Sequence, residues 1–251
     1  MLKNIIRKAG SYLLTDMDKA PKQKEESDFV TNADLRIHAY LHQILPEYLP
    51  GSYVISEEDQ VERHVNDGCV WIVDPVDGTS NIVYDLRHSC VSIGLLLHGQ
   101  VTEGAIFNPY LDELFYAKRG EGSTLNGRPI RVSSETSLKN GFIGFEAGPA
   151  SKHHPDRIMG IMRHCYQHTN GIRMLGSSAL DLAYVACGRF TAAYFDYLYP
   201  WDYAAGMLIL EEAGGKFTDL SGAAPSFSSR NAYIASNGHV HPSFSGMLRA
   251  L

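Results

Sequence analysis

The sequence predicts an α+β protein in which helices and strands are layered around a mixed sheet. Three observations lead there. Amphipathic helical patterns open the chain, an antiparallel strand meander fills its middle, and strand and helix then alternate to the end. A clean doubly wound parallel sheet would not contain the meander.

Taken in order, Leu2, Ile5, Ile6, Ala9, Leu13 and Leu14 share one helical face, so residues 2–14 read as a helix. Asp16 to Ser27 is polar, holds Lys19, Pro21, Lys22 and Lys24, and reads as a mobile loop. A second helix is expected over 33–45, with Leu35, Leu41, Ile44 and Leu45 inward and an end before Pro46. A short strand at Val54-Ile55 precedes Ser56-Glu57-Glu58-Asp59. The apolar run from Cys69 to Val73 suits a buried strand that Pro75 and Gly78 then break. Residues 89–132 form the meander, with turns at His98-Gly99-Gln100, Asn108-Pro109, Gly120-Glu-Gly122 and Asn126-Gly127. Beyond 134 come a strand over 141–146, a helix over 155–168, a strand over 171–174 and a helix over 178–187. A strand over 190–196 and a helix over 203–213 follow, capped by Gly214-Gly215. Strands over 216–219 and 232–235 close the chain. A soft boundary near Ser133-Ser134 separates residues 1–133 from residues 134–251, expected as two rigidly packed subdomains.

Composition narrows the function. With 44% hydrophobic and 20% charged residues in 251, the chain has an ordinary globular balance. Its net charge of −6 argues against non-specific nucleic-acid binding, which needs a basic footprint. No apolar stretch approaches the roughly 18 residues of a membrane span, and the first residues lack a signal-peptide core, so a cytoplasmic protein is expected. Cys69, Cys90, Cys165 and Cys187 are widely spaced without a CxxC pair and read as free thiols. The eleven histidines are scattered.

The carboxylates are the informative residues. In Trp71-Ile-Val-Asp74-Pro75-Val76-Asp77-Gly78-Thr79-Ser-Asn81 an apolar strand ends in Asp74, with Asp77 three residues on. A charge in such a place needs compensation. Pro75 and Gly78 shape a turn that can aim both carboxylates and the Val76 carbonyl at one point, an oxygen set suited to Mg²⁺. Gly78 and Thr79 open a helix whose first N–H groups suit an anion. The plain alternative is an Asp-Gly turn capped by Asp74. Glu57-Glu58-Asp59 follows a strand, Asp34 opens a helix, and Asp202 follows Pro200-Trp201; each alone reads as a solvated loop, a dipole-complementing acid or an N-cap. Together they place four acidic sites at strand ends and helix starts.

These segments resemble the inositol monophosphatase family, with patterns D-x-x-T-x-x-D, G-E-E, W-x-x-D-P-x-D-G-T-x-N and W-D-x-x-A-G. Here they read Asp28 to Asp34, Ser56-Glu57-Glu58, Trp71 to Asn81 and Trp201-Asp202-Tyr-Ala-Ala205-Gly206. The likeness extends over Gly104–Val132 and Gly171–Gly176. It implies a layered αβαβα sandwich, a homodimer, and Mg²⁺-dependent, Li⁺-sensitive hydrolysis of a small phosphate monoester, inositol 1-phosphate first, with two or three Mg²⁺ per subunit. Carried over, Glu57, Asp74, the Val76 carbonyl, Asp77 and Asp202 bind metal, and Asp34 and Thr79 activate the attacking water. Gly78 and Thr79 hold the phosphate, while Asp77, Gly176, Ser178 and Asp196 meet the substrate.

Two positions depart from the pattern. Ser56 stands where the family has Gly, and Phe195 stands where it has an acid that meets substrate hydroxyls; Asp196, one position on, is the available substitute. An aspartyl-phosphate phosphatase would need D-x-D-G-T, and two residues, not one, separate Asp74 from Asp77. Related fructose-1,6-bisphosphate, 3′-phosphoadenosine and histidinol phosphatases share the implied metal core, and a non-catalytic regulatory or RNA-associated protein is the reading from another class.

Overall fold

The computed structural model describes residues 1–15, 22–25, 28–59, 68–227 and 230–250. Five layers stack as helices, sheet, helices, sheet, helices. The first helical layer is α1 (Leu2–Thr15) and α2 (Asn32–Tyr48). It covers one face of a seven-stranded sheet formed by β3 (Tyr53–Ser56), β4 (Cys69–Asp77), β5 (Cys90–Leu97), β6 (Gln100–Asn108), β7 (Glu113–Lys118), β8 (Ser123–Leu125) and β9 (Arg128–Pro129), in that order. β3 runs parallel to β4 and the rest is the expected antiparallel meander. Leu2, Ile6, Ile37, Leu41 and Leu45 meet Trp71, Val73, Val91 and Phe107 in this outer core.

The middle layer is α5 (Ser178–Ala186) and α6 (Pro200–Glu212). α6 is buried all round, so it lies between sheets rather than on a surface. It lies so close to the first sheet that a Cβ at Gly104 would stand 2.9 Å from the Ala205 carbonyl oxygen. The second sheet has the order β11 (Gly171–Arg173), β10 (Phe142–Glu146), β12 (Ala192–Leu198), β14 (Asn231–Ser236), β13 (Lys216–Asp219). β10 is parallel to both neighbours and β14 antiparallel to both of its own. α4 (Pro155–His168) and α7 (His241–Arg249) cover its outer face, where Ile158, Ile161, Phe244 and Leu248 meet Phe145 and Tyr194. The first sheet lies before Ser133 and the second after it.

Several elements correct the expectations. Within Asp16–Ser27, residues 22–25 form β1 (Lys22–Glu25), paired antiparallel with β2 (Asp28–Val30); residues 16–21 and 26–27 lie outside the described residues. α2 runs through Pro46, which sits in its last turn and costs one bond there. The buried stripe of α2 is Ala33, Ile37, Leu41 and Leu45, at strict i+4 spacing, while Leu35, and Leu14 of α1, are exposed. β4 does not stop at Pro75: it continues to Asp77 with its register against β5 shifted between Asp74 and Asp77, the kind of irregularity at which a strand admits proline. α7 was not expected. Its Ser, Gly and Pro residues dilute helix propensity, yet Val240, Phe244 and Leu248 at i, i+4 and i+8 bury one face.

Candidate active site

Strand β4 delivers Asp74 and Asp77 into the interior, 1% and 7% exposed. The shifted register lets both act from one strand: the Asp74 carboxylate accepts the Val76 N–H at 2.9 Å, folding the turn over itself. Gly78 follows at φ +90°, and a Cβ there would stand 2.9 Å from the Gly176 carbonyl oxygen, so only glycine fits. α3 (Thr79–Val83) begins at once. Asn81 latches this helix to the second half of the chain, its Nδ2 donating to the His88 and Leu175 carbonyls at 2.6 and 2.7 Å.

Asp34 arrives from the first turn of α2 and is 1% exposed. Its Oδ2 accepts the Thr31 N–H at 2.8 Å and the Thr31 hydroxyl, which orients it as an N-terminal clasp. Its Oδ1 accepts the Thr79 hydroxyl at 3.0 Å, and that hydroxyl is also 3.0 Å from the Val76 carbonyl. Asp202 occupies the same place in α6 as Asp34 in α2, accepting the Tyr199 N–H at 2.7 Å, three residues inside the helix rather than at its cap. Glu57 stands in the turn after β3, its N–H on the Val73 carbonyl at 3.3 Å.

Burial pushes Asp74 well above the usual carboxylate range, and Glu57, Asp77, Asp202 and Asp34 push it further; all these neighbours are acids. Burial, then Asp77, raises Asp202 to about 8. Burial raises Asp34 to about 6 against the pull of Thr31 and Thr79. Asp77 is raised by burial and partly relieved by Ser177 and the Ala179 and Ser178 N–H groups. Hard anionic oxygens crowded together in low dielectric, with the Val76 carbonyl among them, are a donor set that fits Mg²⁺.

The second half contributes the loop 174–178. Ser177 Oγ and the Ala179 and Ser178 N–H groups all donate to Asp77, the N–H groups at 2.8 and 3.2 Å. The Gly176 N–H donates to Glu146 at 2.8 Å. Glu146 was missed in the sequence, although it carries the same signal as Asp74, an acid ending an apolar strand. Burial raises it to about 7, opposed by the Gly176 N–H. Asp181, also missed, is the single charge of α5, fully buried beside Glu146 and pushed well up by burial.

Asp196 is a correction. It does not reach the site: it is 1% exposed and accepts Ser151 Oγ, Tyr194 Oη and Arg157 Nη1 at 2.6, 2.6 and 2.8 Å. Phe195 points the other way, into the core between the sheets. Successive strand residues face opposite sides, so moving the acid by one position moved it off the site face.

With this geometry in place, the family comparison is decisive: the sequence model of the inositol monophosphatase family matches residues 2–249. The chain belongs to the inositol monophosphatase family. It is 35% identical over 219 residues to an inositol-1-monophosphatase of Rhizobium meliloti, covering 86% of this chain and 82% of that one. The solved extragenic suppressor protein suhB of Bartonella henselae superposes with a TM-score of 0.91 at 33% identity, covering 99% and 96%. A solved IMPase/NADP phosphatase complexed with Mg²⁺ and phosphate superposes at 0.86 with 27% identity, covering 100% and 92%. The family is Mg²⁺-dependent, and this inositol monophosphatase relative is a phosphatase with the family's layered fold. No helix among its described residues is long and apolar enough to cross a membrane.

Proposed function

We propose that the chain hydrolyses a small phosphate monoester, inositol 1-phosphate first, with Mg²⁺ held by Glu57, Asp74, the Val76 carbonyl, Asp77 and Asp202. The observation that carries this reading is the buried all-acid surround of Asp74, joined through Asp34 to the Thr79 hydroxyl. When bound, Mg²⁺ offsets the charge of the phosphate and leaving alkoxide and makes water a better nucleophile.

The chain's own residues do the rest. With Asp34 Oδ2 engaged by Thr31, Oδ1 is left to accept a proton from Thr79 Oγ1 as that oxygen takes one from the attacking water. A carboxylate near 6 is ionised at neutral pH yet basic enough for this transfer. The N–H groups of Gly78 and Thr79 hold the phosphate. Gly176 and Ser178 position the substrate edge of the site. Glu146 takes the place of the acid missing at 195: it pairs in register with Phe195 on the adjacent parallel strand and so shares its face. The family resemblance extends the reading to a homodimer in the cytoplasm with two or three Mg²⁺ per subunit.

Turnover of a panel of esters with Mg²⁺, before and after EDTA, tests the proposal. Inositol 1-phosphate should lead, and full activity in chelator would overturn the metal reading. The name of the IMPase/NADP phosphatase makes a nucleotide phosphate the first rival substrate. The suhB name of another relative keeps a regulatory role as the second reading, and absence of turnover on every ester would favour it.

A further inference from the structure

His38 and His42 lie one turn apart on α2, off the stripe that faces the core. Their rings approach to 4.2 Å between centroids. Asp59 meets them from the turn after β3, with Oδ1 3.1 Å from His42 Nε2. One ligand atom from each of the three residues lies within 4.8 Å of the others. Donors around a tetrahedral ion at roughly 2.0–2.1 Å stand about 3.4 Å apart, so the three must draw together by up to about 1.4 Å to close on an ion.

The orienting groups are already present. Ser56 Oγ is 3.1 Å from His38 Nδ1, and the Ser56 N–H donates to Asp59 Oδ2 at 2.9 Å. A ligating imidazole commonly has its second nitrogen held in this way. Ser56 is also one of the two departures from the family pattern, and a glycine there could not supply the hydroxyl. The His42 and Asp59 side chains are 27% and 15% exposed, open enough for an ion to enter and covered enough to hold it.

We propose that His38, His42 and Asp59 form a second metal site, separate from the carboxylate centre and selective for a zinc-class divalent ion. Two imidazole nitrogens and one carboxylate oxygen suit Zn²⁺, Co²⁺, Ni²⁺ or Cu²⁺, whereas Mg²⁺ prefers an all-oxygen set. An ion here ties α2 to the Ser56–Asp59 turn, and that turn carries Glu57. The site therefore couples zinc occupancy to the position of a residue assigned to Mg²⁺ binding.

The test is equilibrium dialysis of the full chain with Zn²⁺ in saturating Mg²⁺, which blocks the carboxylate centre, together with the visible absorption of bound Co²⁺. Wild type should retain one Zn²⁺ per chain and give a Co²⁺ spectrum with nitrogen ligation. His42→Gln should lower the affinity at least ~10-fold and remove that spectrum. Asp74→Asn, which alters the other centre, should keep both. Should His42→Gln fail to fold, His38→Gln carries the same expectation. Three results would overturn the site: no Zn²⁺ retained by wild type, unchanged retention in the folded histidine variant, or loss of retention in Asp74→Asn. None of these readouts depends on turnover, so they stand apart from the identity of the ester.

Discussion

Asp74 and Asp196 are alike in sequence: each is an aspartate near the end of an apolar strand, and each is 1% exposed in the fold. Their surroundings are opposite. Asp196 is answered from within the chain by the Arg157 guanidinium and the Ser151 and Tyr194 hydroxyls. Among the described residues, Asp74 accepts one backbone N–H, from Val76, and its charge is opposed by four further acids. A buried carboxylate with a cation and donors of its own supports the fold, while one surrounded by like charge is built for a cation that comes from outside.

The largest effect that would break this contrast is on turnover. Asp74→Asn should lose at least ~10³-fold in kcat, measured with Mg²⁺ and a monoester substrate. The same change removes like-charge repulsion, so the metal-free variant should melt no lower than metal-free wild type by scanning calorimetry. A drop of many degrees would make Asp74 a structural cap and erase the difference from Asp196.

Asp196→Ala should do the reverse. It strands the Ser151 and Tyr194 hydroxyls and unpairs Arg157, at a cost of about 3 kcal/mol in denaturant unfolding. The folded fraction should keep the wild-type kcat and KM for inositol 1-phosphate and for 4-nitrophenyl phosphate alike. A KM rise confined to inositol 1-phosphate would return Asp196 to the substrate site.

Glu146→Gln sharpens the comparison within the second sheet. If the glutamate replaces the acid lost at Phe195, KM for inositol 1-phosphate should rise about 10-fold, with 4-nitrophenyl phosphate nearly unaffected. Equal loss on both substrates would mean that Glu146 acts only by holding the Leu175 and Gly176 N–H groups.

The smallest expected effect is the pH dependence of metal-free stability. Folded Asp34 and Asp202 titrate at about 6 and about 8, above the 3.8 of a free aspartate. The native state therefore binds more protons than the unfolded one between those values, and stability must fall as pH rises from about 4 to about 8. The melting point should fall by a few degrees, roughly 2–4 °C per kcal/mol for a chain of this size. Saturating Mg²⁺ should flatten the slope, because it binds the ionised forms. A metal-free melting point that rises across this range would show that the acids are compensated like Asp196.

The sequence by itself determined which groups the 74–79 segment brings together, since Asp74, Val76, Asp77, Gly78 and Thr79 stand within six residues; that the strand runs on through Pro75 to Asp77 with a shifted register was decided by its pairing with β5. The sequence also determined the meander and the helices α1, α2 and α4, whose periodicities of two and 3.6 are local. Period two even implied that Asp196 faces away from Phe195; which of the two faces opens on the site was decided by the sheet around them. The tertiary structure alone set Glu146 beside Phe195, brought the Ser177, Ser178 and Ala179 donors to Asp77 about 100 residues away, and joined His38 and His42 to Asp59. These are contacts between elements whose own patterns are complete without them. Periodicity says how a segment divides its faces, and only packing says what each face meets.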